Sequence, residues 1–246
     1  MTATVLYNCQ LYVDGFDYTG HSNSVEVSVE TDDQDLTVFG TDGWKQRASG
    51  LKDCSAKADV FWQSAATDNV DAVDVELFGK LGVVQFPVTM TPSSTETDTA
   101  YMFRSASFAH SVLGDVGDLS MTNLELTSSD TQGLIRGKLA KAKGNISSAA
   151  AFGTGCQFSA AVSSTQFLYA TFHVFAPGTT LTVVVESDDN SGFTTATTRA
   201  TIGPITTRTG TWMTRVAGPI ATDTWYRFRA TTCTGTFSVG GAIAIQ

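Results

Sequence analysis

Two stretches of this chain alternate strictly between apolar and polar residues, and one kind of backbone accounts for that. In SVEVSVE (24–30), Val25, Val27 and Val29 fall on one side, and Glu26, Ser28 and Glu30 on the other. In DCSAKADVFW (53–62), Ala56, Ala58, Val60 and Trp62 share one face, and Ser55, Lys57 and Asp59 share the opposite one. A period of two marks a strand with one buried and one wet face. The simplest pairing is antiparallel, with 24–39 and 51–62 as the arms of one long hairpin. TDDQDLTVFGTDGWKQRASGLKDC (31–54) then forms its tip.

Other segments extend the β pattern. VLYNCQLYVDG (5–15) ends in Asp14-Gly15, a hairpin-turn signal. Strands are expected near 83–92, 99–112, 119–128 and 134–143, and again at 166–175, 180–187, 197–202, 211–216, 224–230 and 236–246. One helix is expected over 68–82. Val70, Val73, Leu77, Phe78 and Leu81 form one stripe, with Asp68 or Asn69 as N-cap, early acids, Lys80 late and Gly82 as the stop. GNISSAAAFGTG (144–155) is small and polar and reads as a linker. The fold class is mainly β. Residues 1–145 form one domain, 146–155 a linker, and 156–246 a C-terminal β-sandwich of roughly 90 residues.

Charge separates the two parts. Residues 1–150 hold 20 Asp/Glu against 10 Lys/Arg, whereas 151–246 hold 4 against 5. Gripping phosphates needs Lys/Arg to displace counterions, so the acidic part repels nucleic acid rather than holding it. The first residues do not form a secretion signal, and no apolar run is long enough to span a membrane. Cys9, Cys54, Cys156 and Cys233 are widely spaced and read as reduced small hydrophobes.

Catalytic chemistry is poorly supplied. His21, His110 and His173 are isolated, and no nucleophile elbow, zinc-helix motif, Cys-x-x-Cys or phosphate loop occurs. Asp32-Asp33-Gln34-Asp35 and Glu186-Ser187-Asp188-Asp189-Asn190 offer oxygen ligands without the spacing that wraps calcium. In the strand Trp225-Tyr226-Arg227-Phe228-Arg229, two arginines on one face are too few for a nucleic-acid grip. Neither a catalytic residue, a metal ligand nor a cofactor is assigned, and the chain reads as a non-enzyme.

Thr37-Val38-Phe39-Gly40, then Gly43-Trp44, then Gly50-Leu51-Lys52 and the strand from Ser55 to Trp62 resemble the major tail tube proteins of long-tailed bacteriophages. The order of elements over residues 1–145 matches as well. The closing stretch, with ESDDNSGF and WYRFRATT, looks like the extra sandwich that some of these proteins carry on their outside. The resemblance implies a tail-tube-type β-barrel or sandwich, and homo-oligomeric rings, usually six-fold, stacked into a hollow tube in the virion tail after assembly in the bacterial cytoplasm. It implies tape-measure, tail-tip and terminator proteins as partners, and DNA that passes without sticking. Glu26, Ser28, Glu30, Lys57 and Asp59 would line the lumen. Asp32, Asp33, Asp35, Leu36, Val38, Phe39, Gly40, Gly43, Trp44, Gly50 and Leu51 would form an inter-subunit hairpin bent at its glycines. The competing reading is a carbohydrate-binding, decoration or adhesion module of a virion, reaching a host-surface glycan through Trp212 or Trp225 of the C-terminal part.

Overall fold

The computed structural model describes residues 8–38, 44–63, 73–112, 115 and 117–246. Its first part runs β1 (Gln10–Val13), β2 (Phe16–Asp17), β3 (Ser22–Asp35), β4 (Arg47–Phe61), α1 (Val73–Lys80), β5 (Phe86–Thr91), β6 (Thr99–Ala106), β7 (Met121–Ser128) and β8 (Ile135–Ile146). The second part adds β9 (Ala151–Gln157), β10 (Phe167–Ala176), β11 (Thr180–Asp188), β12 (Thr197–Ile205), β13 (Thr209–Trp212), β14 (Val216–Ala217), β15 (Trp225–Thr234) and β16 (Phe237–Ile245). The fold is mainly β, as the alternation requires.

Twelve strands form one nearly closed sheet. Its path is β13-β10-β16-β8-β6-β5-β1-β2, with β7, β4 and β3 branching in that order from β6. The remaining four form a second sheet in the order β12-β11-β15-β9. Three apolar clusters fill the interior. In the first, Phe172, Val174 and Leu168 of β10 meet Val183, Val185, Phe228 and Ile202 of the four-stranded sheet. In the second, Leu11, Val88, Met90 and Phe103 face Ala56, Ala58, Leu124 and Leu126 of the β3–β4–β7 layer, with Val73 and Leu77 of α1 at its end. The third holds Tyr12, Met102, Leu139 and Tyr169. β10 is therefore buried on both faces and joins the two layers.

Sequence expectations and structure differ at three places, each with a local cause. Residues 146–155 are not irregular: Ile146 ends β8, and Ala151–Gln157 pair with β15. The small residues there serve close approach, since a Cβ on Gly153 would lie 2.2 Å from the Ala140 carbonyl oxygen. The second half supplies strands to both sheets, and β16 pairs with β8, so hydrogen bonding runs unbroken from one half to the other. The helix spans Val73–Lys80, with the expected Asp74, Glu76 and Lys80 at its ends; residues 64–72, including Asp68, Asn69 and Val70, lie outside the described residues. Of its described stripe residues Val73 and Leu77 are buried, while Phe78 and Leu81 are exposed.

The Asp14-Gly15 turn holds as read. Both residues have positive φ (45° and 81°), which suits the tight β1–β2 connection. Gly137 is demanded by packing instead. A Cβ there would stand 2.3 Å from the Ile243 carbonyl oxygen and 2.6 Å from the Ala244 Cβ. Overpacking of this kind costs about 1–3 kcal/mol. Gly137→Ala should lower the melting temperature by roughly 3–10 °C, whereas Gly20→Ala, with open space around it, should leave it nearly unchanged. Thermal unfolding of the two variants by circular dichroism checks the difference.

Candidate functional site

The β3–β4–β7 layer carries the alternation that opened the sequence reading. Val25, Val27 and Val29 pair with Ala58, Ala56 and Cys54, and Leu124 and Leu126 continue the same inner rows on β7. The outer rows then follow from the pleat. Glu26, Lys57 and Glu125 stand in one cross-strand row; Ser28, Ser55 and Thr127 form the next; Ser24, Asp59 and Asn123 form another; Glu30 pairs with Asp53. Ser28 and Ser55 share a hydroxyl hydrogen bond of 2.9 Å. Ser128 donates to the Asp53 carboxylate at 3.0 Å.

Among the described residues this outer face presents five carboxylates, on Glu26, Glu30, Asp53, Asp59 and Glu125, and a single ammonium, on Lys57. Lys57 departs from a purely acidic face, but it sits between Glu26 and Glu125 in register, so its charge is locally outweighed. Glu125 and Asp53 were missed in the sequence reading. The alternation of NLELT around Glu125 held the signal once β7 was known to pair with β4.

The hairpin outreaches its layer. β4 pairs with β7 only from Ser55 to Phe61; Cys54 is still buried and Asp53 accepts from Ser128, while Arg47–Leu51 pair, among the described residues, with β3 alone. Those five residues at about 3.4 Å each give an arm of roughly 17 Å. The expected turn at Gly50-Leu51-Lys52 is instead strand, with the arms at 22–35 and 47–61. Gly50 is needed where the register shifts between Thr31 and Asp33, because a Cβ there would lie 2.7 Å from the Asp32 Cβ. Phe39, Gly40 and Gly43 lie outside the described residues.

Two of the hairpin aspartates have structural partners. Asp33 is ion-paired with Arg47. Asp35 accepts the Thr37 N–H at 2.9 Å, and hydrogen bonds from Thr37 hold its carboxyl below the usual carboxylate range. Leu36, Val38, Trp44 and Leu51 are all exposed. Among the described residues no group of three metal-binding side chains converges.

β3 has one further property. Among the described residues it pairs on one edge only, with β4, over its 14 residues. An open groove of about 550 Å³, lined by Asn8–Leu11, Thr19 and Ser22–Val25, lies beside it. Among the described residues no carboxylate, histidine or cation lines that groove. Its Cys9 thiol is pushed up by burial, away from the thiolate form a nucleophile needs.

Several other titratable groups have partners within the fold. Glu186, nearly buried, receives Arg227 at 2.9 and 3.0 Å and Arg229 at 3.3 Å, and the Arg227 guanidinium stacks 4.0 Å from the Phe193 ring centroid. The two arginines on one face of β15 thus both meet the Glu186 carboxylate. Asp188 accepts from the Asn190 and Thr195 backbone amides, a turn role rather than a metal site. Trp212 donates to Gln132 at 3.1 Å and packs near Tyr169; it and Trp225 are half-buried. His110 lies 3.5 Å from Asp74, and His21 meets the Gln63 amide at 3.1 Å.

His173 is fully buried between β10 and β5. The Gly15 N–H donates to its Nδ1 at 3.3 Å, so its Nε2–H donates to the Thr89 hydroxyl at 2.9 Å, and that hydroxyl meets Thr171 at 2.6 Å. Burial lowers its pKa from 6.5 to about 3, against a small opposing effect of Asp17. The unfolded chain therefore binds a proton that the folded chain refuses. Stability from this site is full above pH 6.5 and is lost as pH falls toward 3, at up to about 1.4 kcal/mol per pH unit. Denaturant melts of wild type and His173→Gln should show the wild-type advantage shrinking across that window. A difference independent of pH would contradict the buried neutral imidazole.

No protein-family profile matches the chain, and no curated protein matches it in sequence. Several solved structures overlap with it partially. A chain of the virion of a native gene transfer agent particle is 14% identical, covers 54% of this chain and 97% of its own length, with a TM-score of 0.41. A chain from the tail of an empty gene transfer agent particle, refined with C6 helical symmetry, is 13% identical over 48% of this chain and 84% of its own, with a TM-score of 0.37. The Dit protein of phage SPP1, described as a paradigm of the hub adsorption apparatus in phages infecting Gram-positive bacteria, is 13% identical over 96% of this chain and 98% of its own, with a TM-score of 0.35. Likeness at these identities and TM-scores assigns neither family nor role.

Proposed function

We propose that the chain is a structural subunit of a bacteriophage tail tube, which associates into rings that stack around a DNA conduit. The carrying observation is the outer face of β3–β4–β7. It is wide, polar and acid-rich, and it belongs to a sheet whose last strand, among the described residues, is paired along one edge only. A lone subunit with a long free edge is prone to association, and ring closure removes such edges. Copies arranged with this face inward give a wall of repeated carboxylates. DNA meeting fixed negative charge finds no cation to exchange for its counterions, so it slides.

In this reading the work is mechanical and no catalytic group is used. The twelve-stranded sheet forms the ring and the tube, with its acid-rich layer supplied by residues 1–145. The four-stranded sheet, β9, β11, β12 and β15, lies on the exterior, across β10 and β16 from the acid face, where it meets solvent or a host-surface glycan. The protein resides in the virion tail, in contact with its own copies and with other tail components.

Negative-stain imaging and sedimentation of the purified protein at rising concentration should show rings or tubes. A monomer at every concentration, even with tail-initiating components present, contradicts the reading. Glu26→Lys combined with Glu30→Lys should still assemble, and the assembled variant should retain duplex DNA at low salt and release it as salt rises. Assembled variant that retains no DNA would place this face away from the conduit. Failure to assemble would place these acids at subunit interfaces.

A further inference from the structure

Two cations of β8, Arg136 and Lys138, stand without a counter-charge among the described residues, in a chain whose net charge is −9. They flank Gly137, so the strand period of two sends both side chains to one side. Lys138 pairs in register with Ile243 of β16 and Thr99 of β6, and Ile243 belongs to the apolar cluster that meets the four-stranded sheet. Both cations therefore lie on the side of the large sheet that the smaller sheet covers, at its margin. A cleft of about 330 Å³ opens there. Arg136, Lys138, Thr99 and Ile245 form its wall on the large sheet. Gln157, Phe158 and Ser159, where the chain leaves β9, form the wall opposite.

Elsewhere the fold supplies such cations with partners. Of the eight arginines, six are ion-paired to carboxylates of Asp33, Glu76, Asp130, Glu186 and Asp223. Arg215 lies 4.1 Å from the Phe167 ring centroid. Arg136 has neither kind of partner among the described residues. It donates to the Thr99 hydroxyl at 3.3 Å, which leaves most of its N–H donors open. Further along the same strand, Lys141 and Lys143 are paired with Glu96 and Asp17. The Lys138 ammonium instead lies 5.8 Å from the Phe158 ring centroid. No carboxylate lines the cleft among the described residues. The wall opposite is fixed in place. The Phe158 N–H donates to the Thr224 carbonyl at 2.8 Å, and its ring meets the buried Tyr226 edge-on, with centroids 5.7 Å apart. The cleft is preformed and positively charged.

We propose that this cleft binds an acidic saccharide unit, a sugar that carries a carboxylate or a phosphate. The Arg136 guanidinium offers a planar fork for two oxygens of one anion, and Lys138 adds a point charge beside it. Thr99, Gln157 and Ser159 supply neutral donors and acceptors for hydroxyls. Phe158 and Ile245 give ring carbons an apolar wall. The volume lies at the small end of ligand pockets. Other anions fit less well. A nucleic acid needs many cations at once, and the net charge of the chain repels it. An extended acidic peptide docks along a free strand edge, but β8 is paired on both edges, with β6 and β16. The inference does not rest on the tail-tube reading, because the cleft lies within one chain.

Saturation-transfer NMR on small ligands tests the site, and it reads single chains and assemblies alike. Glucuronate and glucose 6-phosphate should both give saturable signals, and glucose at the same concentration should give none. Arg136→Gln combined with Lys138→Gln should weaken both acids at least tenfold with the circular dichroism melt kept. Arg215→Gln, outside the cleft, should bind as wild type does. In wild type itself, affinity for both acids should fall as salt rises, a readout that needs no variant. Equal binding of glucose, or affinity independent of salt, would remove the role of the two cations. Acid binding untouched by the double variant would put the site elsewhere. Inorganic phosphate that displaces glucuronate as readily as glucose 6-phosphate does would mark a bare anion site and overturn the saccharide. A polyglutamate peptide that displaces it more readily than glucose 6-phosphate would mark a protein partner instead. No signal from either acid would overturn the proposal and leave the tail-tube reading intact.

Discussion

The cross-strand rows Val25–Ala58–Leu124 and Val27–Ala56–Leu126 are the constraint on which the rest depends. They bury one face of the β3–β4–β7 layer against Leu11, Met90 and Phe103. A slip of one residue would send Val25 and Val27 to water and Glu26 toward the core, so the register is tightly specified. Because it is fixed, the acids are collected on one outer face. Because β7 stops at Ser55 while β3 and β4 run on, the arm projects.

The two halves of the chain are joined by the same kind of pairing. β16 lies between β8 and β10, and Gly137 lets β8 come close against Ile243 and Ala244. β10 in turn presents Phe172 and Val174 to the four-stranded sheet and Thr171 and His173 to β5. The acid-rich layer is thus braced from behind by a continuous sheet rather than hung on a flexible tether. Such bracing suits a wall that carries charge repulsion on its outer face.

Local alternation was legible in the sequence, which is why β3, β4 and the Asp14-Gly15 turn were read directly. Long-range pairing was not. Nothing around Ile243 announces that it lies on Gly137, about a hundred residues earlier in the chain. Small residues are ambiguous for the same reason: Gly153 and Gly50 read as linker and turn, but each is small because a backbone or Cβ of another strand occupies the space. Of the candidate face, Glu26, Ser28, Glu30, Lys57 and Asp59 were visible because they alternate with apolar neighbours. Glu125 and Asp53 joined them only once the strand order was known. The aspartates of the hairpin drew attention as chemistry, and Arg47 and Thr37 give Asp33 and Asp35 work in holding its shape.

The central claim is that the acid-rich face turns toward a shared axis in an assembly of this chain. A cryo-electron microscopy map of the assembled protein tests it most directly. The account expects Glu26, Glu30 and Glu125 on the inner wall of a central channel, with the four-stranded sheet outermost. A map with those side chains on the outer surface, or with no channel, would contradict it.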